Sequence, residues 1–187
     1  MTLDEDAQKV LLSVAREAIG HGLAHANAPK VATDNYSPPL KAVACSFVTL
    51  RIGAALRGCV GSLQAHRPLV TDVTQHAYAA AFSDRRFDPL QQTEFAALHI
   101  HISILSELEA VAFDSDESLL AALRPRTHGL LIEAANRRAT FLPTVWSTFP
   151  DGRDFLAALK NKAGMDAAIS TYSAWRYTTQ NFEEARS

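Results

Sequence analysis

The densest chemistry in this 187-residue chain lies in Leu56-Arg57-Gly58-Cys59-Val60-Gly61. Successive side chains of a strand alternate between its faces, so Arg57, Cys59 and Gly61 would share one face and Gly58 and Val60 the other. A permanent cation near a thiol raises its thiolate fraction, and the thiolate is the nucleophile. Two glycines weaken a strand unless close backbone approach, a bulge or a positive φ is needed. A ligand touching the backbone at Gly58 and Gly61 is one such reason, and helix–sheet packing is another. Cys59 itself reads either as a buried structural thiol or as a functional one.

A nucleophilic cysteine needs a base, and the candidates are His66, His76, His99, His101 and His128. His128 precedes Gly129 at the start of a strand, where a side chain can overlook a cleft or can serve as a turn cap. His99 and His101 share a strand face. A His-x-His pair holds a metal only when a third ligand converges, and the sequence supplies none, so no metal is expected. In Asp84-Arg85-Arg86-Phe87-Asp88-Pro89-Leu90, Asp84 and Arg86 either pair to pin a loop, or Arg86 presents its fork to an anionic substrate.

The elements that must position these residues follow from periodicity. Thr2 and Glu5 have the capping-box spacing, and Ala7, Val10, Leu11, Val14, Ala15 and Ala18 recur at helical intervals until Gly20 and Gly22. Residues 26–40, with three prolines, read as loop. Residues 43–50 and 55–63 flank Ile52-Gly53 as a hairpin, and Pro68 opens a helix ending near Ser83. Leu98, Ile100, Ile102 and Ile104 alternate with polar neighbours as a half-buried strand. Ser115 or Ser118 caps a short helix, and Ala134-Ala135-Asn136 joins a second hairpin over residues 129–142. Thr140-Phe141-Leu142-Pro143 leads onto Trp146 and Phe149 as core. A helix over residues 151–163 ends at Gly164, placed for a left-handed C′ residue. Another short helix, a strand over residues 175–178 and an acidic tail complete the reading. Helices mixed with hairpins, and no Gly-rich phosphate loop after a strand, predict an α+β fold with an antiparallel sheet flanked by helices.

Composition narrows the function classes. The length suits one domain, with charged residues at 20% and hydrophobic ones at 48%, which excludes wholesale disorder. Two cysteines, Cys45 and Cys59, form no disulfide framework and no Cys-x-x-Cys pair. No apolar run approaches the roughly 18 residues of a membrane span. The acidic start lacks a secretory pattern, so a cytoplasmic location is the expectation. The 32 alanines, and 13 arginines against 5 lysines, fit a GC-rich bacterial genome. A net charge of −2 makes nucleic acid an improbable partner. The charge is unevenly spread: residues 35–71 hold Lys41, Arg51, Arg57 and Arg67 and no acid, while residues 87–123 hold seven acids and no Lys or Arg. Such a split either steers an anionic ligand or is resolved by pairing within the fold.

Taken together, Phe47-Val48-Thr49-Leu50, LRGCVG at 56–61, AFSDRRFDPL at 81–90, ISIL at 102–105, His128-Gly129, ATFLP at 139–143 and LKNKAG at 159–164 resemble the AMMECR-type domain family, whose prokaryotic members are called AmmeMemoRadiSam system protein A. The resemblance covers about residues 5–182 and implies one such domain over 1–187. It implies an α+β fold with a larger subdomain containing both termini and a smaller α+β subdomain, each with an antiparallel sheet. It also implies association with Memo-like and radical-SAM proteins, but no established reaction and no cofactor. His101 stands where many relatives place Glu, and Arg85 where proline is common. The expected function is therefore a thiol-containing component of a modification pathway. Cys59 would be the thiol, Arg57 would tune it, and Arg86 or His128 would orient an anionic or carbonyl small molecule. Asp84, Arg86, Gly58 and Gly61 are the expected ligand-binding positions. The alternative is a non-catalytic interaction adaptor in which LRGCVG is structural.

Overall fold

Helix α1 (Glu5–His25) starts from Asp4, whose carboxylate accepts the Ala7 amide at 2.9 Å. The cap is therefore Asp4 and not Thr2: Asp4 is the extended residue directly before the first helical turn. The helix also runs through both glycines and stops at Ala26, which takes a φ of 58°. Gly22 is retained inside it because the rings of helix α3 (Leu69–Phe82) press there; an added Cβ would lie 2.3 Å from the Phe82 ring. The computed structural model describes residues 2–166 and 169–185.

Strands β1 (Ser46–Ile52) and β2 (Ala55–Gly61) form the expected hairpin, turning at Gly53 with φ +57°. Strand β3 (Leu98–Leu105) follows the alternation over Leu98–His101, but Ser103 and Leu105, expected on the half-exposed face, are buried. The expected acidic tail is instead strand β8 (Thr179–Glu183), which completes a sheet of order β2-β1-β3-β8. Within the proline-rich segment expected to be loop, Pro38–Lys41 makes one helical turn, α2, with proline at its start. Pro68 is the N-cap of α3, one position before the first helical turn where it was expected.

Val48, Leu50, Ile100 and Ile102 lie on one face of this sheet and are sealed beneath α1 and α3. Burying such branched side chains contributes about 1.5–3 kcal/mol each. The alternate residues, among them Thr49 and His101, face the other way. This core belongs to a first unit made of residues up to Leu105 and from Gln180 onward.

The second unit spans Ser106–Thr179 and has its own core and sheet. Strands β4 (Glu109–Val111), β5 (Gly129–Ala134), β6 (Arg137–Phe141) and β7 (Ser173–Tyr177) are ordered β4-β7-β5-β6. Helix α4 (Asp116–Ala121) is capped by Ser115, with Ser118 bonding back to it. Helix α5 (Gly152–Lys162) ends before Gly164, whose φ is +67° as expected of a left-handed C′ residue. Trp146 stacks on Phe155 with ring centroids 3.9 Å apart, in the middle of this core. The short helix expected between Gly164 and Trp175 would cross residues 167–168, which lie outside the described residues. The pairings of both sheets are antiparallel, so the fold is α+β, as the mixture of helices and hairpins predicts.

Candidate functional site

The site is built on the edge strand β2. Cys59 pairs with Thr49, but its backbone groups point outward to the loop after α3. Its amide donates to Asp84 Oδ2 at 2.9 Å, and its carbonyl accepts from Arg86 Nη2 at 3.3 Å. Asp84 and Arg86 also grip each other, Nε to Oδ1 at 2.9 Å and Nη2 to Oδ2 at 2.6 Å. One acid–base pair thus copies the acceptor and donor of a neighbouring strand, at a position an edge would otherwise leave open. Arg86 pins the loop, as one of the two sequence readings has it. Its bonds to Asp84 hold that carboxyl far below the usual carboxylate range, although burial opposes this.

Because the Cys59 backbone faces outward, Thr49 and Cys59 form a non-hydrogen-bonded pair, the kind whose Cα atoms approach to about 4.5 Å. Their side chains meet on the face turned away from the core. Thr49 Oγ1 donates to Cys59 Sγ at 3.3 Å. Cys59 is half-buried, unlike Cys45, which is buried.

A register shift after Leu50 makes Arg57 the unpaired residue of a β-bulge: Leu50 faces Gly58, but Arg51 faces Leu56. The bulge interrupts the alternation that would set Arg57 beside Cys59. The Arg57 guanidinium instead bonds Glu94 through Nε at 2.6 Å and Nη2 at 2.9 Å, and reaches the Asp88 carbonyl at 3.0 Å. These bonds raise Arg57 above its ordinary value and lower Glu94, in each case chiefly through the hydrogen bonds of the pair. Arg57 Nη1 is buried with no hydrogen-bond partner among the described residues. Both glycines meet close neighbours. A Cβ on Gly58 would lie 2.0 Å from the Ala80 carbonyl oxygen of α3, and one on Gly61 would lie 2.3 Å from the Phe47 ring.

The histidines fall in different surroundings. His128 belongs to the second unit, where its Nδ1 accepts the Arg124 amide at 3.0 Å and its carbonyl accepts from Trp146. Burial, then the charges of Arg176 and Arg124, lower its proton affinity. His66 is exposed on a loop. His76 is sealed in a cluster that the sequence did not disclose. Asp72 Oδ2 accepts from the Ser46 hydroxyl at 2.6 Å and lies 3.1 Å from His76 Nδ1, while Oδ1 accepts from Arg67 at 2.8 Å. Burial would raise Asp72, but the bonds from His76, Ser46 and Arg67 outweigh it and hold the carboxyl below its ordinary range. Serine, histidine and aspartate meet here without the order of a catalytic triad, since the carboxylate and the hydroxyl share one imidazole nitrogen.

His99 and His101 stand on the open face of β3, with His99 Nε2 at 3.3 Å from Glu183. Among the described residues no three His, Cys, Asp or Glu side chains converge on a metal position. The acid-free stretch is resolved in part by pairing, since Arg57 and Arg67 take acids from outside it. Thr49, Glu94, Asp72 and Glu183 are the site residues that sequence reasoning missed. Only Glu94 had a local signal, three residues after Gln91, whose amide it accepts.

The fold and the sequence are both matched by known proteins. In the crystal structure of the uncharacterised protein PH0010 from Pyrococcus horikoshii, a chain 26% identical superposes with a TM-score of 0.89, over 97% of this chain and 93% of that one. A protein of Sulfolobus acidocaldarius is 32% identical over 170 residues, 87% of this chain and 74% of that protein. One of Methanothermobacter thermautotrophicus is 28% identical over 164 residues, 87% of this chain and 85% of its own length. The sequence profile of the AMMECR1 family matches residues 12–182, which include β2 with Cys59, the Asp84–Arg86 loop and both sheets, so the chain belongs to the AMMECR1 family.

Proposed function

We propose that this chain is the thiol-bearing component of a modification pathway, with Cys59 as nucleophile or acceptor thiol. Memo-like and radical-SAM proteins are its working partners, and the substrate is an anionic or carbonyl small molecule. The observation that carries this reading is the way Cys59 is held. Its backbone is clamped from outside by Asp84 and Arg86, while the residue is half-buried and the Thr49 hydroxyl is donated to its sulfur. The thiolate is the form of a cysteine that attacks.

The clamp also restricts the chemistry. A thiol ester mechanism turns the amide of the nucleophile toward the oxyanion. Here a carboxylate occupies that amide, which favours an acceptor thiol over acyl transfer at its own N–H. The partners follow from the association of the family. The test is Cys59→Ser in cells that depend on the protein. The reading expects loss of function with thermal stability within a few degrees of the parent.

The adaptor reading draws on a different observation. Arg57, Gly58 and Asp84 each have a packing or pairing role that stands without chemistry. It expects the same Cys59→Ser variant to keep function.

A further inference from the structure

The functional-thiol reading leaves the base unassigned, and the sheet supplies one. Thr49 stands in register with Cys59 on one side and with His101 on the other. The Glu184 amide bonds the Ile100 carbonyl at 3.1 Å, and Ser103 bonds Asn181 at 2.7 Å. Both contacts set Glu183 of β8 opposite His101. A thiol, a hydroxyl and an imidazole therefore form one row across three strands, on the face away from the core, and the Glu183 carboxylate of the fourth strand contacts the neighbouring His99. Facing residues of adjacent strands hold their Cβ atoms about 4.5–5.5 Å apart, which leaves the imidazole one side-chain length from the Thr49 hydroxyl.

We propose that His101 is the base for Cys59, acting through the Thr49 hydroxyl, with the Glu183 carboxylate, which contacts the neighbouring His99, adding its charge from nearby. The inference rests on the functional-thiol reading above. The Cys59 S–H proton passes to Thr49 Oγ1 while the proton of that hydroxyl passes to the His101 ring. The sulfur keeps the bonding pair as thiolate, the imidazole becomes imidazolium, and nothing is oxidised. After the transfer the hydroxyl donates to the sulfur, and the two atoms lie 3.3 Å apart.

The surroundings of His101 mix opposing effects. Burial lowers the proton affinity of His101, and Arg51 and His99 lower it further, while Glu183 opposes them. Of the charged groups around Cys59, Arg57 is paired with Glu94, while Arg86, paired with Asp84, still lies close enough to act on the thiol. Other histidines are less well placed: His76 is sealed with Asp72, and Nδ1 of His128 holds a backbone amide. His101 acts through another residue, so it is a positioning residue in the proton path.

The test is the rate of iodoacetamide alkylation at Cys59 in the full chain, read peptide by peptide by mass spectrometry from pH 5 to 9. A thiol in the unfolded chain, with a pKa near about 8.5, is only a few per cent ionised at pH 7, so an assisted one gains on the order of 10-fold there. His101→Asn is expected to remove most of that gain and to move the rising limb of the profile to alkaline pH. Thr49→Val, close to isosteric, is expected to do the same and carries the test if the histidine variant unfolds. His101→Glu restores a base, and its limb is expected at more acidic pH. His66→Asn, an exposed histidine outside the row, is expected to change nothing. A fast Cys59 whose profile is unmoved by His101→Asn and Thr49→Val overturns the row and leaves the functional thiol standing. A wild-type Cys59 no faster than the unfolded thiol overturns both.

Discussion

Asp84 and Arg86 hold the amide and the carbonyl of Cys59 at 2.9 and 3.3 Å, while they hold each other at 2.6 Å. A residue on an edge strand thereby has both its backbone groups bonded, as one inside a sheet does. The Asp84 side chain is only 7% exposed, so its charge has little water to fall back on once Arg86 is removed. Arg86→Ala is expected to destabilise the chain by about 1–3 kcal/mol, the cost of leaving a buried acceptor unsatisfied. Urea unfolding measures the loss, and a change below a few tenths would show that the clamp is ornamental.

Acid should find the same clamp. Asp84 and Asp72 are both held below their unfolded range, chiefly by Arg86 in the first case, and in the second by His76, Ser46 and Arg67 against the opposing effect of burial. A carboxyl with a depressed folded value contributes stability that is complete above its unfolded pKa, near about 3.9, and is lost as pH falls toward the folded value. The midpoint of thermal unfolding is therefore expected to fall steeply below about pH 4. In Asp84→Asn the slope should be shallower, and a slope equal to that of the parent would contradict this assignment.

Gly58→Ala tests the packing beneath the motif. The new Cβ would meet the Ala80 carbonyl oxygen at 2.0 Å, and a helix backbone cannot step aside as a side-chain tip can. Overpacking of this kind costs about 1–3 kcal/mol or more. The expected result is a lower unfolding midpoint, or failure to accumulate as soluble protein. Parent-like stability would mean that β2 and α3 separate easily.

The two cores should respond separately. Trp146 is 2% exposed and stacked on Phe155, and truncating a buried tryptophan to alanine costs about 3–5 kcal/mol. Hydrogen exchange in Trp146→Ala is expected to accelerate over residues 129–141 and 152–162. Amides of α1 and β3 should keep their protection. Equal loss in both units would show that they unfold as one.

How much of this was legible beforehand depended on distance along the chain. The Cys59 hairpin, the alternation over Leu98–His101 and the Gly164 terminus are local patterns, and they could be read directly. The helix through Gly20 and Gly22 could not, because the reason for Gly22 is a ring on α3 some sixty residues away. Strand β8 was hidden by its charge: Glu183 and Glu184 read as a solvated tail, although Phe182 is buried. Alternation placed Arg57 beside the thiol, but a one-residue bulge sends it to Glu94. A bulge leaves no mark in composition. Thr49 became a site residue only through the register of its strand, which hydrophobic pattern sets one face at a time.

The most direct test of the central claim sets the two cysteines of one molecule against each other. Native and urea-unfolded chains are alkylated with iodoacetamide at pH 7, and the rates at Cys45 and Cys59 are followed separately. The account predicts that Cys59 reacts faster in the native chain than in the unfolded one, while buried Cys45 reacts more slowly. Slower reaction of Cys59 in the native chain, in step with Cys45, would contradict it.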